Sequence, residues 1–153
     1  MTEHLLFFTA LAGTSALFAL VEIQVEGPHG WAGKLPTWRF ENRWTKLFWG
    51  GRPFTGYHLY IQLLFLLVVH LPWLLSLAPW TVRGEARVLA FLVLFWILED
   101  FLWFVLNPAF GLRRFRAEHI WWHRPQWWGF MPRDYWVFLP VGASLYLLSV
   151  SRA

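Results

Sequence analysis

The chain has 153 residues, of which 58% are apolar and 14% charged, with a net charge of +4. Soluble domains carry about 45–50% apolar and about 25% charged residues, so there are too few charges here to cover a soluble surface, and an ordinary water-soluble domain is excluded. With no Cys, disulfides, thiolate zinc sites and a cysteine nucleophile are excluded as well.

A membrane-crossing helix needs about 20 mainly apolar residues. The first such stretch is 5–23, "LLFFTALAGTSALFALVEI". Glu3 and His4 are the only ionisable side chains before it, with no Lys or Arg, so a cleaved signal peptide is not expected. Ala10, Ala12, Gly13, Ser15, Ala16 and Ala19 offer a surface for close helix packing. The next segment, 24–56, is long and carries Lys34, Arg39, Arg43, Lys46 and Arg52 together with Trp31, Trp38, Trp44 and Trp49. A second span is expected over 57–77, with Pro72 kinking its far end. A short connection precedes the third span, 88–106. The segment 107–134 is again long, with Arg113, Arg114, Arg116, Arg124 and Arg133 among Trp121, Trp122, Trp127 and Trp128. A shorter fourth span is expected over 135–150.

Ten of the 13 Lys and Arg therefore fall in the two long segments, leaving Arg83, Arg87 and Arg152 elsewhere. The positive-inside rule places both long loops in the cytoplasm and both termini outside. The loops are too aromatic for disorder. Indole favours the membrane–water boundary, because its ring is apolar and its N–H is polar. The expected fold is an all-α integral membrane protein of one domain in the cell membrane. It is a four-transmembrane-helix bundle whose two ordered, Trp-rich loops cap the cytoplasmic face.

Mapping polar residues onto this topology brings candidates together on that face. Glu22 ends the first span, Glu26 and His29 follow it, His58 begins the second, and Asn107 closes the third. Glu99 and Asp100 lie within the third span, roughly 10 Å from its end at a rise of ~1.5 Å per residue. A carboxylate at membrane depth costs roughly 2.5 kcal/mol or more, which makes both acids functional candidates by default. His119 and His123 are spaced i,i+4, a pattern that puts two histidines on one helical face for metal binding. Glu26-x-x-His29 has a spacing found in carboxylate-bridged metal helices, although Gly27-Pro28 inside it favours a turn.

The segment "LEDFLWFVLNP", residues 98–108, resembles the acidic segment of the small membrane lycopene cyclases. There an acid pair in a hydrophobic helix is held to protonate a polyene. The resemblance rests on Glu99, Asp100 and their aromatic neighbours, and Ile97-Leu98 stands where that segment has a Pro. It implies a general-acid role for the pair and assigns no family. The six His are too few for the His-rich motifs of the membrane desaturases and hydroxylases.

The functional expectation is a membrane enzyme acting on a lipid or other apolar small molecule. Glu99 and Asp100 are the catalytic candidates. Glu22, Glu26, His29, Glu99, Asp100, His119 and His123 are the metal-ligand candidates, with His58 and Asn107 in support. Oxygen and nitrogen donors without sulfur suit iron, manganese or zinc. No nucleic-acid partner is expected; a homo-oligomer or a larger membrane complex is compatible. Two alternatives belong to other classes. One is a non-enzymatic subunit holding a pigment or quinone, with His58 and His70 as ligands. The other is an ion or proton path through Glu99 and Asp100.

Overall fold

The computed structural model describes residues 2–48 and 52–151, with the side chains of residues 46–48 outside that description. The expectations for Trp49 and Arg152 thus lie outside the described residues. The protein is mostly helical, and three helices are long and apolar enough to cross a membrane: α1 (Thr2–Glu26), α3 (Gly56–Leu74) and α4 (Val82–Leu106). A further long helix, α5 (Arg133–Val150), follows α4. The segment between α1 and α3 holds the short helix α2 (Arg43–Phe48) and a two-stranded antiparallel pair, β1 (Arg39–Phe40) with β2 (Phe54–Thr55). Between α4 and α5 lie two 3₁₀ turns and a second pair, β3 (Trp127–Trp128) with β4 (Met131–Pro132).

The helix ends follow local chemistry. Gly27, at φ 62°, stops α1, and its N–H returns to the Ile23 carbonyl at 2.9 Å; glycine bears this left-handed conformation without a Cβ penalty. The Thr55 hydroxyl accepts the His58 N–H at 3.2 Å and starts α3. α3 ends at Leu74, two residues past Pro72, and the Pro72 carbonyl accepts the N–H groups of Leu77 and Ala78 in the turn that follows. The Thr81 hydroxyl caps α4 at Gly84, with Glu85 in the first turn. α4 therefore begins six residues before the apolar window, taking in Arg83, Glu85 and Arg87. It stops at Leu106 because Pro108 drives Asn107 into extended backbone.

α4 is the central helix, packed against α1 and α5 along most of its length. The inward face of α1 runs Phe7, Leu11, Ser15, Ala19, Ile23, one residue per turn. Ala19 and Ala90 are fully buried, and Ser15 donates to the Phe95 carbonyl at 3.4 Å. Gly142 on α5 lies so close to α4 that a Cβ there would stand 2.7 Å from Leu94. One apolar cluster, around Phe7, Leu11, Ala90, Phe95 and Tyr146, fills the end of the molecule near the chain termini. Another, around Ala19, Ile23, Trp103, Phe104, Ile120 and Trp122, fills the end near the long loops. α3 is the least embedded helix: it meets the others chiefly where Phe65 stacks on Phe95 and meets Trp96 and Phe18 edge-on.

Candidate functional site

The polar residues come together because they continue the buried stripes. Glu22 and Glu26 are one turn apart on α1 and extend the face that carries Ser15 and Ala19. Glu99 sits on the buried stripe of α4 between Phe95 and Trp103. Asp100, about 100° further round the helix, turns towards α5 and the second loop. At the loop end these side chains line a cavity of about 480 Å³. His58 and Gln62 of α3, Arg52, Trp31, His123 and Asp134 complete its polar wall, and Ile61, Val93, Trp96, Ile97 and Phe138 supply an apolar one.

One half of this cavity is a closed network. The Tyr135 hydroxyl donates to Asp100 Oδ2 at 2.5 Å, and His123 Nε2 lies 3.2 Å from the same oxygen. Arg52 Nη1 is 3.3 Å from His123 Nδ1, and Arg52 Nη2 donates to Asp134 Oδ2 at 2.7 Å. A guanidinium only donates, so Nδ1 of His123 accepts and the ring proton sits on Nε2, directed at Asp100. Burial pushes the Arg52 pKa below its ordinary value, while Asp134 and Asp100 pull it back up. The guanidinium also lies over Trp31, 4.3 Å from the ring centre, where the negative π face favours a cation.

The other half is open. Glu22, Glu26, Glu99 and Asp100 lie within electrostatic reach of one another. Glu22 is met by the Tyr57 hydroxyl. One oxygen of Glu26 accepts the Ala32 N–H. That bond holds Trp31 and Ala32 at φ 48° and 51°, a conformation that non-glycine residues adopt only when the surroundings enforce it. His58 stacks on Trp31 at 4.0 Å. Its Nδ1 is 2.7 Å from the Thr55 hydroxyl, and its Nε2 faces Glu26 at 3.8 Å, beyond hydrogen-bond range. Glu99 is only 7% exposed and, among the described residues, has neither a hydrogen-bond nor an ion-pair partner. The Trp103 indole N–H beside it is also buried without an acceptor.

The cavity thus unites Glu22, Glu26, Glu99, Asp100, His123 and His58. It does not take in His29 or His119, which are both exposed. Gly27 ends α1, so Glu26 and His29 share no helical face. Residues 119–123 form turns rather than an α-helix, so His119 is not carried to the same side as His123; it lies beside Glu118 at 3.4 Å. As the side chains stand, no three His, Asp or Glu among the described residues converge on one point where a metal ion would sit. Asn107 clamps rather than lines the site: its Nδ2 donates to the Gly27 carbonyl at 3.0 Å and ties the end of α1 to the end of α4. His70 is at the opposite end of α3, with Nδ1 at the Leu66 carbonyl and Nε2 3.2 Å from Glu85.

Sequence reasoning missed Arg52, Asp134, Tyr57, Tyr135 and Trp31. Arg52 and Trp31 look like any other interfacial Arg and Trp, and Tyr57 begins α3 with no acidic neighbour to mark it. An available signal was Asp134-Tyr135, an acid and a phenol at the mouth of an apolar segment. Comparison with known protein families, characterised proteins and solved structures gives no match for this chain.

Proposed function

We propose that the protein is an integral membrane enzyme, a four-transmembrane-helix bundle that acts on a lipid or other apolar substrate. Its site is the Glu/Asp/His cavity at the loop end, which the charge bias of the loops assigns to the cytoplasmic face. The observation that carries this reading is the cavity itself, which joins a set of buried acids to an apolar wall between helices that include three apolar enough to cross a membrane. Carboxylates are expensive at such depth and tend to be kept for a chemical task. An apolar molecule would lie against Ile61, Val93, Trp96, Ile97 and Phe138 with its reacting end among the acids.

Within the cavity the two acids of α4 divide the work. Asp100 is occupied by Tyr135 and His123 and so positions that wall. Glu99 has no hydrogen-bond or ion-pair partner among the described residues and is the group left to act on the substrate, as a proton donor in a metal-free site or as a ligand where a metal is bound. The cofactor compatible with the donor set is iron, manganese or zinc; iron would supply oxidation or desaturation, and zinc hydrolysis.

The test compares the lipids of membranes holding wild-type protein with those holding Glu99→Gln at equal abundance. One lipid species is expected to accumulate in the variant and its product to be lost. Identical lipid profiles in membranes with wild type, variant and no protein would defeat the enzyme reading.

A further inference from the structure

We infer that the open half of the cavity is a divalent transition-metal site whose protein donors are Glu22, Glu26, Glu99 and Nε2 of His58. Asp100, His123 and Arg52 form a fixed wall beside it. This deepens the enzyme reading and rests on it only in placing the metal where substrate would bind.

Five acids line the cavity: Glu22, Glu26, Glu99, Asp100 and Asp134. Asp134 pairs with Arg52 and Arg133, and Asp100 is held by His123 and Tyr135. No Arg or Lys among the described residues pairs with Glu22, Glu26 or Glu99. Buried carboxylates without a counter-charge need a cation or a proton. An acid cluster alone does not indicate a ligand. Glu99 does, because it is more than nine-tenths buried, lines the cavity and has no hydrogen-bond or ion-pair partner among the described residues.

A metal-binding imidazole is held through one nitrogen by an outer partner and offers the other to the ion. Nδ1 of His58 is held by Thr55, the ring is stacked on Trp31, and Nε2 faces Glu26. His123 has neither nitrogen to offer, since Arg52 engages one and Asp100 the other. Asp100 is likewise engaged. The ligand set is therefore narrower than the acids and histidines of the cavity, and three oxygens with one nitrogen suit manganese, iron or zinc.

The donors line one cavity without meeting at a point. Closing on an ion requires the glutamate side chains to turn from their present positions. Glu22 and Glu26 already share a face of α1, and each glutamate has three torsions with several staggered wells. Glu26 can keep one oxygen on the Ala32 N–H and turn the other to the ion.

The test is titration of full-length, detergent-purified protein, stripped with chelator, with Co²⁺ followed by visible absorption and calorimetry. One saturable equivalent is expected, with about tenfold or greater loss of affinity in Glu99→Gln and in His58→Ala. His119→Ala, altered at an exposed histidine outside the cavity, should bind like wild type. Glu22→Gln serves if either of the first two fails to give monodisperse, helical protein. Absence of saturable Co²⁺ binding overturns the inference, as does binding that survives both Glu99→Gln and His58→Ala. So does equal weakening in His119→Ala. Saturable binding with these variant effects but no change in membrane lipids would uphold the metal site while defeating the enzyme reading.

Discussion

Glu26 illustrates how single residues here serve both scaffold and site. One of its oxygens holds the backbone turn at Trp31–Ala32, and that turn presents the indole on which His58 stacks and over which Arg52 lies. Asn107 does related work at the neighbouring helix end by donating to the Gly27 carbonyl. Asn107→Ala should leave that carbonyl without its side-chain donor and destabilise the protein by about 1–3 kcal/mol, read as a lower thermal midpoint in detergent. An unchanged midpoint would show the clamp to be idle. Gly30 lies where the first loop crosses the second: its φ is 58°, and a Cβ would stand 2.3 Å from the Trp122 ring. Gly30→Ala should therefore cost about 1–3 kcal/mol through overpacking and blue-shift or broaden tryptophan emission as Trp122 is displaced. Wild-type emission and stability in that variant would place the two loops further apart than the structure has them.

At the scale of elements, the long helices were legible from length and apolarity, and three of the four expected spans are apolar enough to cross a membrane, whereas the helix ends were set by caps. The apolar window opens α4 at residue 88, but Thr81 can cap a helix and the charged turn behind it is tolerated near water, so the helix starts at Val82. Which face of each helix turns inward was less legible, because small and large apolar residues surround α1 on all sides. Of the small residues that advertise close packing, Ser15 and Ala19 are buried, whereas a Cβ at Gly13 would meet nothing within 4 Å. The closest approach instead involves Gly142 on α5. Gly142→Val should push Leu94 aside and separate α4 from α5, lowering stability by about 1–3 kcal/mol. Chemical denaturation in mixed micelles measures this, and a variant as stable as wild type would mean that Leu94 rotates away freely.

At the scale of the molecule, the chain has a polar cavity at one end and an aromatic cluster at the other. Because there is no native Cys, single cysteines can report which side each end faces. Exposed positions Arg83, Glu118 and Ser151 bracket α4 and α5. In intact cells an impermeant thiol reagent should label Arg83→Cys and Ser151→Cys from outside, and Glu118→Cys only after the membrane is opened. Labelling of Arg83→Cys and Glu118→Cys from the same side would show that α4 does not cross, and the four-span proposal would fall with it.

Sequence alone placed four apolar segments, three of which form helices long and apolar enough to cross a membrane, and put Glu22, Glu26, Glu99 and Asp100 at one end of the molecule. Those conclusions follow from apolar length and from the rise of a helix, both of which are local. Tertiary structure decided which polar groups share the cavity. It brought in Arg52, Asp134 and Tyr135 and left His29 and His119 outside, because a turn at Gly27 and a non-helical segment at 119–123 break the spacings that would have aligned them. It also separated Asp100 from Glu99. The two acids are adjacent in sequence, but about 100° of helical rotation sends one into a closed hydrogen-bonded network and leaves the other buried, without a partner among the described residues.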